Sequence, residues 1–151
     1  MTDEHPRAPR RLASLSTTQL LNASMVLSAL VVIGSLGPWA SVLGLSVSGI
    51  DGDGVLTLGL GIVAAAGTLV VRSDPQRPRF QAHRIAVAAS TLALLIAAYD
   101  TIDVSTTSGE LAGETIRAYA GWGLWLTLLA ALALTAVTVA VTRHVNAQPR
   151  P

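Results

Sequence analysis

The chain has 151 residues, of which 51% are hydrophobic and 13% are charged, against about a quarter charged in ordinary soluble domains. The formal net charge is +1, every one of the ten basic residues is arginine, and there is no cysteine. This composition predicts a membrane protein of one domain, and it excludes disulfides, thiolate metal sites and a cysteine nucleophile.

The first apolar stretch runs from Leu20 to Ala40 without a charge. Its length of about twenty residues is what a helix needs to cross roughly 30 Å of hydrocarbon. It stops at Pro38-Trp39, a helix breaker beside an aromatic of the kind that favours membrane interfaces. Three further stretches, at about 55–71, 85–104 and 118–141, complete the pattern. The sequence therefore predicts an all-α membrane protein, a four-transmembrane-helix bundle over 20–141, with a disordered tail at 1–19 and a short polar tail at 142–151.

Between the first two predicted helices lies a polar segment with the period of a strand. Leu43, Leu45 and Val47 alternate with small or polar residues, and Gly49 and two Asp-Gly pairs follow as turn signals. These features predict a short β-like segment, extended or hairpin-like, on the extracytoplasmic membrane surface. Asp51 or Asp53 is expected to cap the second helix.

The placement of arginine predicts the orientation of the bundle. Nine of the ten arginines lie in the N-terminal tail, in the loop at 72–84 and in the C-terminal tail, whereas Arg117 alone lies on the other side. Because cytoplasmic loops are enriched in basic residues, both termini and the 72–84 loop are expected to face the cytoplasm of a multi-pass plasma-membrane protein. Binding of anionic lipid headgroups is a second interpretation of the 72–84 loop.

Small residues recur at every fourth position on each predicted helix. Membrane helices associate by close approach along such residues, so the pattern predicts a compact bundle with Leu, Val and Ile facing lipid. The residues concerned are Ser24 and Ser28 on the first helix, Gly61 and Ala65 on the second, Ala89, Ala93 and Ala97 on the third, and Gly123, Thr127, Ala131 and Thr135 on the fourth.

Four carboxylates on the extracytoplasmic side are the candidate site residues, namely Asp51, Asp53, Asp100 and Asp103. The Asp-x-Asp-Gly sequence is similar to the opening of a calcium-binding loop, although the closing carboxylate of that loop is missing. The alternative is ordinary turn and capping chemistry with solvated acids. Asp100 lies about 23 Å along a helix from Ile85, which favours an interfacial acid. We therefore predict no metal site and keep these four residues as the candidates.

No catalytic constellation is found among the remaining polar residues. The histidines His5, His83 and His144 lie in three separate segments predicted to be cytoplasmic, whereas a zinc site would need them to converge. No Gly-x-Ser-x-Gly motif and no phosphate-binding loop occurs in the sequence. The chain is therefore expected not to be an enzyme and to need no cofactor.

Taken together, the sequence resembles a loose group of small four-span actinobacterial membrane proteins without an established activity. The resemblance rests on Gly37-Pro38-Trp39, on the alternating 44–50 segment and on Asp51-Gly-Asp-Gly54. The overall plan is also similar to that of claudin-type tetraspans. The paired cysteines and the Gly-Leu-Trp signature of that family's first outer segment are missing, and Gly123-Leu-Trp125 lies in the fourth predicted helix instead.

These features lead to two hypotheses about function. The first is a non-catalytic structural or accessory protein that packs in the lipid bilayer against itself, as a homo-oligomer, or against a larger membrane complex. The alternative is a small transporter or channel with Asp100 and Asp103 near its outer mouth. A conduit needs polar residues on several facing helices, and the predicted spans have few of them. No nucleic-acid partner is expected.

Overall fold

Four long helices account for most of the structure, a computed structural model that describes residues 16–73, 81–111 and 114–147. The helices are α1 (Thr17–Leu36), α2 (Gly54–Ser73), α3 (Ala82–Thr106) and α4 (Trp122–Ala147). All four are long and apolar enough to cross a membrane. The predicted four-helix membrane fold is confirmed, and a short strand segment lies between α1 and α2 as expected.

The helix ends differ from the predicted ones by several residues. α1 starts earlier because Ser16 and Gln19 form a capping box, in which the Gln19 backbone N–H donates to Ser16 Oγ over 3.2 Å and the Ser16 N–H donates to Gln19 Oε1 over 2.9 Å. It ends at Leu36 rather than at residue 40, and α4 continues to Ala147. Most of the two predicted polar tails, residues 1–15 and 148–151, lies outside the described residues.

The helices form a closed four-membered arrangement. α1 packs against α2 and α4, and α3 packs against the same two helices, so that successive helices are antiparallel neighbours. The predicted small-residue stripes largely face the interior, because Ser24, Ser28, Ala93, Ala97 and Ala131 are all almost completely buried. Two predicted members, Ala65 and Thr135, are only half-buried. Large exposed side chains such as those of Val26, Ile62, Leu95 and Leu129 cover the outer helix faces, as a lipid-facing surface requires.

One end of the bundle carries a three-stranded sheet, and we call it the sheet end. Strands β1 (Pro38–Val42) and β2 (Leu45–Ser48) form an antiparallel hairpin, and β5 (Tyr119–Ala120) pairs with the other side of β1. The hairpin turns at Leu43 and Gly44, whose φ angles of 52° and 81° are those of a type I′ turn. A second hairpin, β3 (Ser108–Leu111) with β4 (Glu114–Arg117), follows α3.

Two sequence expectations at the sheet end are wrong. Trp39 does not end a transmembrane helix at the lipid interface, because it lies in β1 with only 6% of its surface exposed. Its Nε1–H donates to the Gly34 carbonyl oxygen over 3.1 Å, which fixes the sheet to the last turn of α1. The stretch between the third and fourth predicted helices, residues 105–117, contains the β3–β4 hairpin, and α4 begins at Trp122 instead of residue 118.

Candidate functional site

The candidate carboxylates converge only in part. Asp53 immediately precedes α2, and its carboxyl group lies close to that of Asp100 on α3, although Asp100 Oδ2 has no hydrogen-bond partner among the described residues. Asp103, one turn further along α3, is close enough to interact electrostatically with Asp100. Asp51 is exposed in the short 3-10 turn formed by residues Gly49–Asp51. The structure thus places the Asp-Gly turn beside the end of α3, where the two carboxyl groups lie close together.

The expected capping of α2 by a carboxylate is not observed, because no described backbone N–H group donates to the side chain of Asp51 or Asp53; the backbone of Asp53 makes the contacts at this helix end. Its carbonyl oxygen accepts the N–H groups of Leu56 and Thr57 over 3.0 and 3.2 Å, in the first turn of α2. The hydroxyl of Thr57 also bonds in this turn, since it donates to the Gly54 carbonyl oxygen over 3.1 Å.

The ligand-type side chains around the acid pair are few in the part of the chain that the structure describes. Within those residues, no group of three or more His, Cys, Asp or Glu side chains could hold a metal ion. Calcium takes six to eight oxygen ligands, more than two neighbouring carboxyl groups supply. Two carboxylates this close repel each other unless a proton or a cation lies between them. The pair is therefore a contact between like charges, located where the start of α2 meets α3.

Hydroxyl groups bond between α1 and α2 in the interior next to the acid pair. Ser35 Oγ lies 2.7 Å from Thr57 Oγ1, and both side chains are fully buried. Toward the middle of the bundle, this polar region gives way to an apolar layer made mostly of small side chains. That layer consists of Val31, Ala64, Ala89, Ala93, Ala130, Ala131 and Leu134.

We call the end of the bundle away from the sheet the His83 end. It contains a polar site that the sequence did not predict. His83 was expected in an arginine-rich loop, but it lies in the first turn of α3 with 8% of its surface exposed. It borders a small cavity together with Ser24 of α1, Thr68 of α2 and Thr138 of α4. His5 lies outside the described residues, and His144 is exposed on α4. The histidines are thus not brought together.

A signal for the burial of His83 was present in the sequence. His83, Ala86, Ser90, Ala93 and Ala97 follow each other at alternating spacings of three and four residues, which places them on one helix face. All five are buried. The small-residue stripe of the third helix therefore continues through His83, whereas the neighbouring arginine and the preceding prolines suggested a loop.

The hairpin of β1 and β2 leaves an apolar surface uncovered at the sheet end. Leu43, Leu45, Val47 and Ile50 expose 71%, 76%, 49% and 50% of their surface. Within the described residues, β2 pairs with β1 alone, so its other edge keeps its backbone groups free. We call Leu43, Leu45, Val47 and Ile50 the hairpin patch.

Comparison with known proteins found no matching family model, no matching curated protein and no matching solved structure. The resemblance to the four-span actinobacterial group and to claudin-type tetraspans therefore stays a prediction that rests on the residues named above.

Proposed function

We propose that this chain is a non-catalytic accessory protein of the plasma membrane that binds another membrane protein, or a second copy of itself, through its sheet end. The observation that carries the proposal is the hairpin patch. Exposed apolar side chains on the helices are explained by lipid, but the hairpin lies beyond the end of α1, where a bilayer of about 30 Å has already been crossed. An apolar surface at that level favours a protein partner.

The tip of the hairpin supports this interpretation. Leu43 adopts a left-handed conformation with φ 52°, although Asn, Asp or Gly occupies such a turn position at lower cost. A left-handed backbone costs an ordinary residue about 1–2 kcal/mol. Strained residues tend to be retained where they contribute to function. A leucine that is both strained and largely exposed is explained by a partner surface that receives its side chain.

The free edge of β2 supports the same interpretation. Soluble proteins protect sheet edges with charges, prolines or bulges, because an open edge pairs with other strands. The strand Leu45-Ser-Val-Ser48 contains neither a charge nor a proline. Its exposed backbone groups are suited to strand addition by a partner, with Leu45 and Val47 providing apolar contacts.

Photocrosslinking in living cells tests this proposal directly. A photoreactive amino acid at Leu45 is expected to yield a protein adduct of defined mass, either a dimer or a complex with one partner. The matched control is Leu95, which is 61% exposed near the middle of α3 and is expected to yield lipid adducts only. Co-expression of two differently tagged copies distinguishes the dimer from the complex. If Leu45 yields only lipid adducts, the hairpin patch contacts the bilayer and the proposal fails.

The alternative of a small transporter or channel is favoured by one observation, which is that ionisable groups lie toward both ends of the bundle. The acid pair Asp53–Asp100 lies at the sheet end, and His83 lies at the other end. The apolar layer around Ala93 and Leu134 separates them. Proton flux into proteoliposomes loaded with a pH-sensitive dye distinguishes the two hypotheses. An accessory protein gives background flux, and a transporter gives flux that Asp100→Asn reduces.

A further inference from the structure

All four helices contribute one polar side chain to a single small cavity at the His83 end. Ser24 comes from α1, Thr68 from α2, His83 from α3 and Thr138 from α4. The cavity has a volume of about 10 Å³, which is close to the space that one water molecule requires. Four independent segments thus place hydrogen-bonding groups around a space of this size.

His83 needs a partner that the described protein atoms do not supply. The side chain is more than nine-tenths buried, and neither ring nitrogen has a hydrogen-bond partner among the described residues. Buried polar side chains are nearly always hydrogen-bonded to protein or to ordered water. A neutral imidazole has one N–H donor and one acceptor nitrogen, and an imidazolium has two donors, so a water molecule can satisfy the ring in either form.

The hydroxyl groups around the cavity can accept further hydrogen bonds but cannot donate them, because their hydrogens are already bonded elsewhere. Thr68 Oγ1 donates to the Ala64 carbonyl oxygen over 2.9 Å, so its contact of 2.9 Å with Ser24 Oγ uses the hydrogen of Ser24. Thr138 Oγ1 donates to the Leu134 carbonyl oxygen over 2.9 Å. The hydrogens of all three hydroxyls are therefore engaged, and none of them is left to bond the imidazole.

A water molecule has the complementary hydrogen-bonding capacity. It donates two hydrogens and accepts two, so it can bond one ring nitrogen of His83 and still donate to a hydroxyl oxygen. The apolar cluster of Leu20, Leu21, Val71, Ala82 and Val141 packs around this level of the bundle.

We propose that His83, Ser24, Thr68 and Thr138 bind one water molecule that joins the four helices at this end of the bundle. The site is independent of the hairpin patch, since it lies at the opposite end of the helices. The water adds to the contacts that already join the helices here, which are the apolar cluster around Leu21 and Val141 and the hydroxyl contacts Ser24–Thr68 and Ser90–Thr138. Loss of any one of the four polar groups is expected to weaken the contribution of the others.

Nuclear magnetic resonance on the full chain in lipid nanodiscs tests the proposal. A dipolar cross-peak is expected between water and the carbon-bound ring protons of His83, which do not exchange with solvent. The His83→Leu variant identifies the His83 signals by their loss. The methyl protons of Ala93, which lies in the apolar layer with 1% exposure, serve as the control and are expected to show no such cross-peak. Absence of the cross-peak at His83 overturns the proposal.

Thermal unfolding provides a second readout. His83→Leu and Ser24→Ala are each expected to lower Tm, and the double variant is expected to lose less than the two single losses combined, because both break one water-linked network. The control pair combines His83→Leu with Ser35→Ala. The Ser35 hydroxyl bonds Thr57 at the sheet end, away from the cavity, so the two losses of Tm are expected to add. Additive losses in the first pair, or a Tm raised by His83→Leu, contradict the proposal.

Discussion

At the level of single residues, a close contact between α1 and α4 depends on two glycines. Gly34 of α1 and Gly123 of α4 lie against each other near the sheet end. A Cβ atom on Gly123 would lie 2.7 Å from the Gly34 carbonyl oxygen, and one on Gly34 would lie 2.5 Å from Thr127 Oγ1. The obstruction at Gly123 is backbone, which cannot rotate away, so the two helices would have to separate.

Gly123→Ala is therefore expected to destabilise the bundle by about 1–3 kcal/mol, which is the usual cost of overpacking. Gly59→Ala is the control, because a Cβ atom there meets nothing within 4 Å and alanine is the better helix former. Thermal unfolding in mild detergent, followed by circular dichroism, should show a lower Tm for the first variant and an equal or higher Tm for the second. Equal effects of the two substitutions would mean that α1 and α4 do not cross at these glycines.

The carboxyl pair gives a prediction of opposite sign. Asp100→Asn keeps the shape of the side chain and removes the repulsion between Asp53 and Asp100, which amounts to about 1 kcal/mol for two charges 4 Å apart in water. The variant is expected to be more stable than wild type at pH 7, and the difference should shrink in high salt. Asp51→Asn is the control, since Asp51 is exposed and its replacement should change Tm little.

Calcium distinguishes the acid pair from a cation site. The melting temperatures of wild type and Asp100→Asn are expected to be the same with calcium and with a chelator. A rise in the Tm of wild type on adding calcium, absent in Asp100→Asn, would contradict this and would revive the calcium-loop interpretation of Asp51 and Asp53.

The sequence indicated where the acids lie in the fold better than it indicated where the histidine lies. Asp53 and Asp100 stood out because charges next to apolar helices are few, yet their pairing depends on how α2 and α3 pack, which is a non-local property. His83 was misassigned because its neighbour Arg84 and the prolines before it are typical of a loop. Burial overrides such local signals when a side chain lies on the interior face of a helix.

At the level of elements, the three-stranded sheet depends on one aromatic residue, Trp39. The substitution Trp39→Phe removes the Nε1–H that donates to the Gly34 carbonyl oxygen, and it leaves a small void beside the last turn of α1. We expect a loss of about 1–2 kcal/mol, from the hydrogen bond and the reduced packing. Trp125→Phe is the control, because Trp125 is 48% exposed and should change stability by less than about 0.5 kcal/mol.

Unfolding in detergent, measured by circular dichroism, gives the ranking of the two variants. A larger loss for Trp125→Phe would mean that Trp39 is not the residue that holds the sheet on the bundle. Crosslinking through Leu45 should also weaken in Trp39→Phe if the sheet must be held in place to receive a partner.

Helices and strands were predictable to different degrees for a physical reason. The four helices follow from long uncharged stretches, which few other structures accommodate. The β1–β2 hairpin was visible in the alternation of Leu43, Leu45 and Val47. The two-residue strand β5 was not, because Tyr119–Ala120 is too short to show a period and pairs with β1 some eighty positions earlier in the chain. Its formation depends on α4 being packed beside α1.

At the level of the whole molecule, most of the functional proposal depends on the predicted membrane topology. Ser73 ends α2 and Ser108 follows α3, so the two residues are separated by the 25 residues of α3, or about 37 Å along the helix axis. If α3 spans the bilayer, Ser73 and Ser108 lie on opposite sides. The arginines of the 72–84 segment then predict that Ser73 faces the cytoplasm and Ser108 the outside.

Single cysteines at these positions test both statements, and the natural chain contributes no background because it has no cysteine. On intact cells, a membrane-impermeant maleimide is expected to label Ser108→Cys at once and Ser73→Cys only after lysis. The side chains of Ser73 and Ser108 are both exposed in the structure, so a lack of labelling on intact cells reflects the membrane rather than burial. Labelling of both variants on intact cells would show that α3 does not separate them. The reversed pattern would place the hairpin patch in the cytoplasm, where the partner would then have to be a cytoplasmic protein or the inner face of a membrane complex.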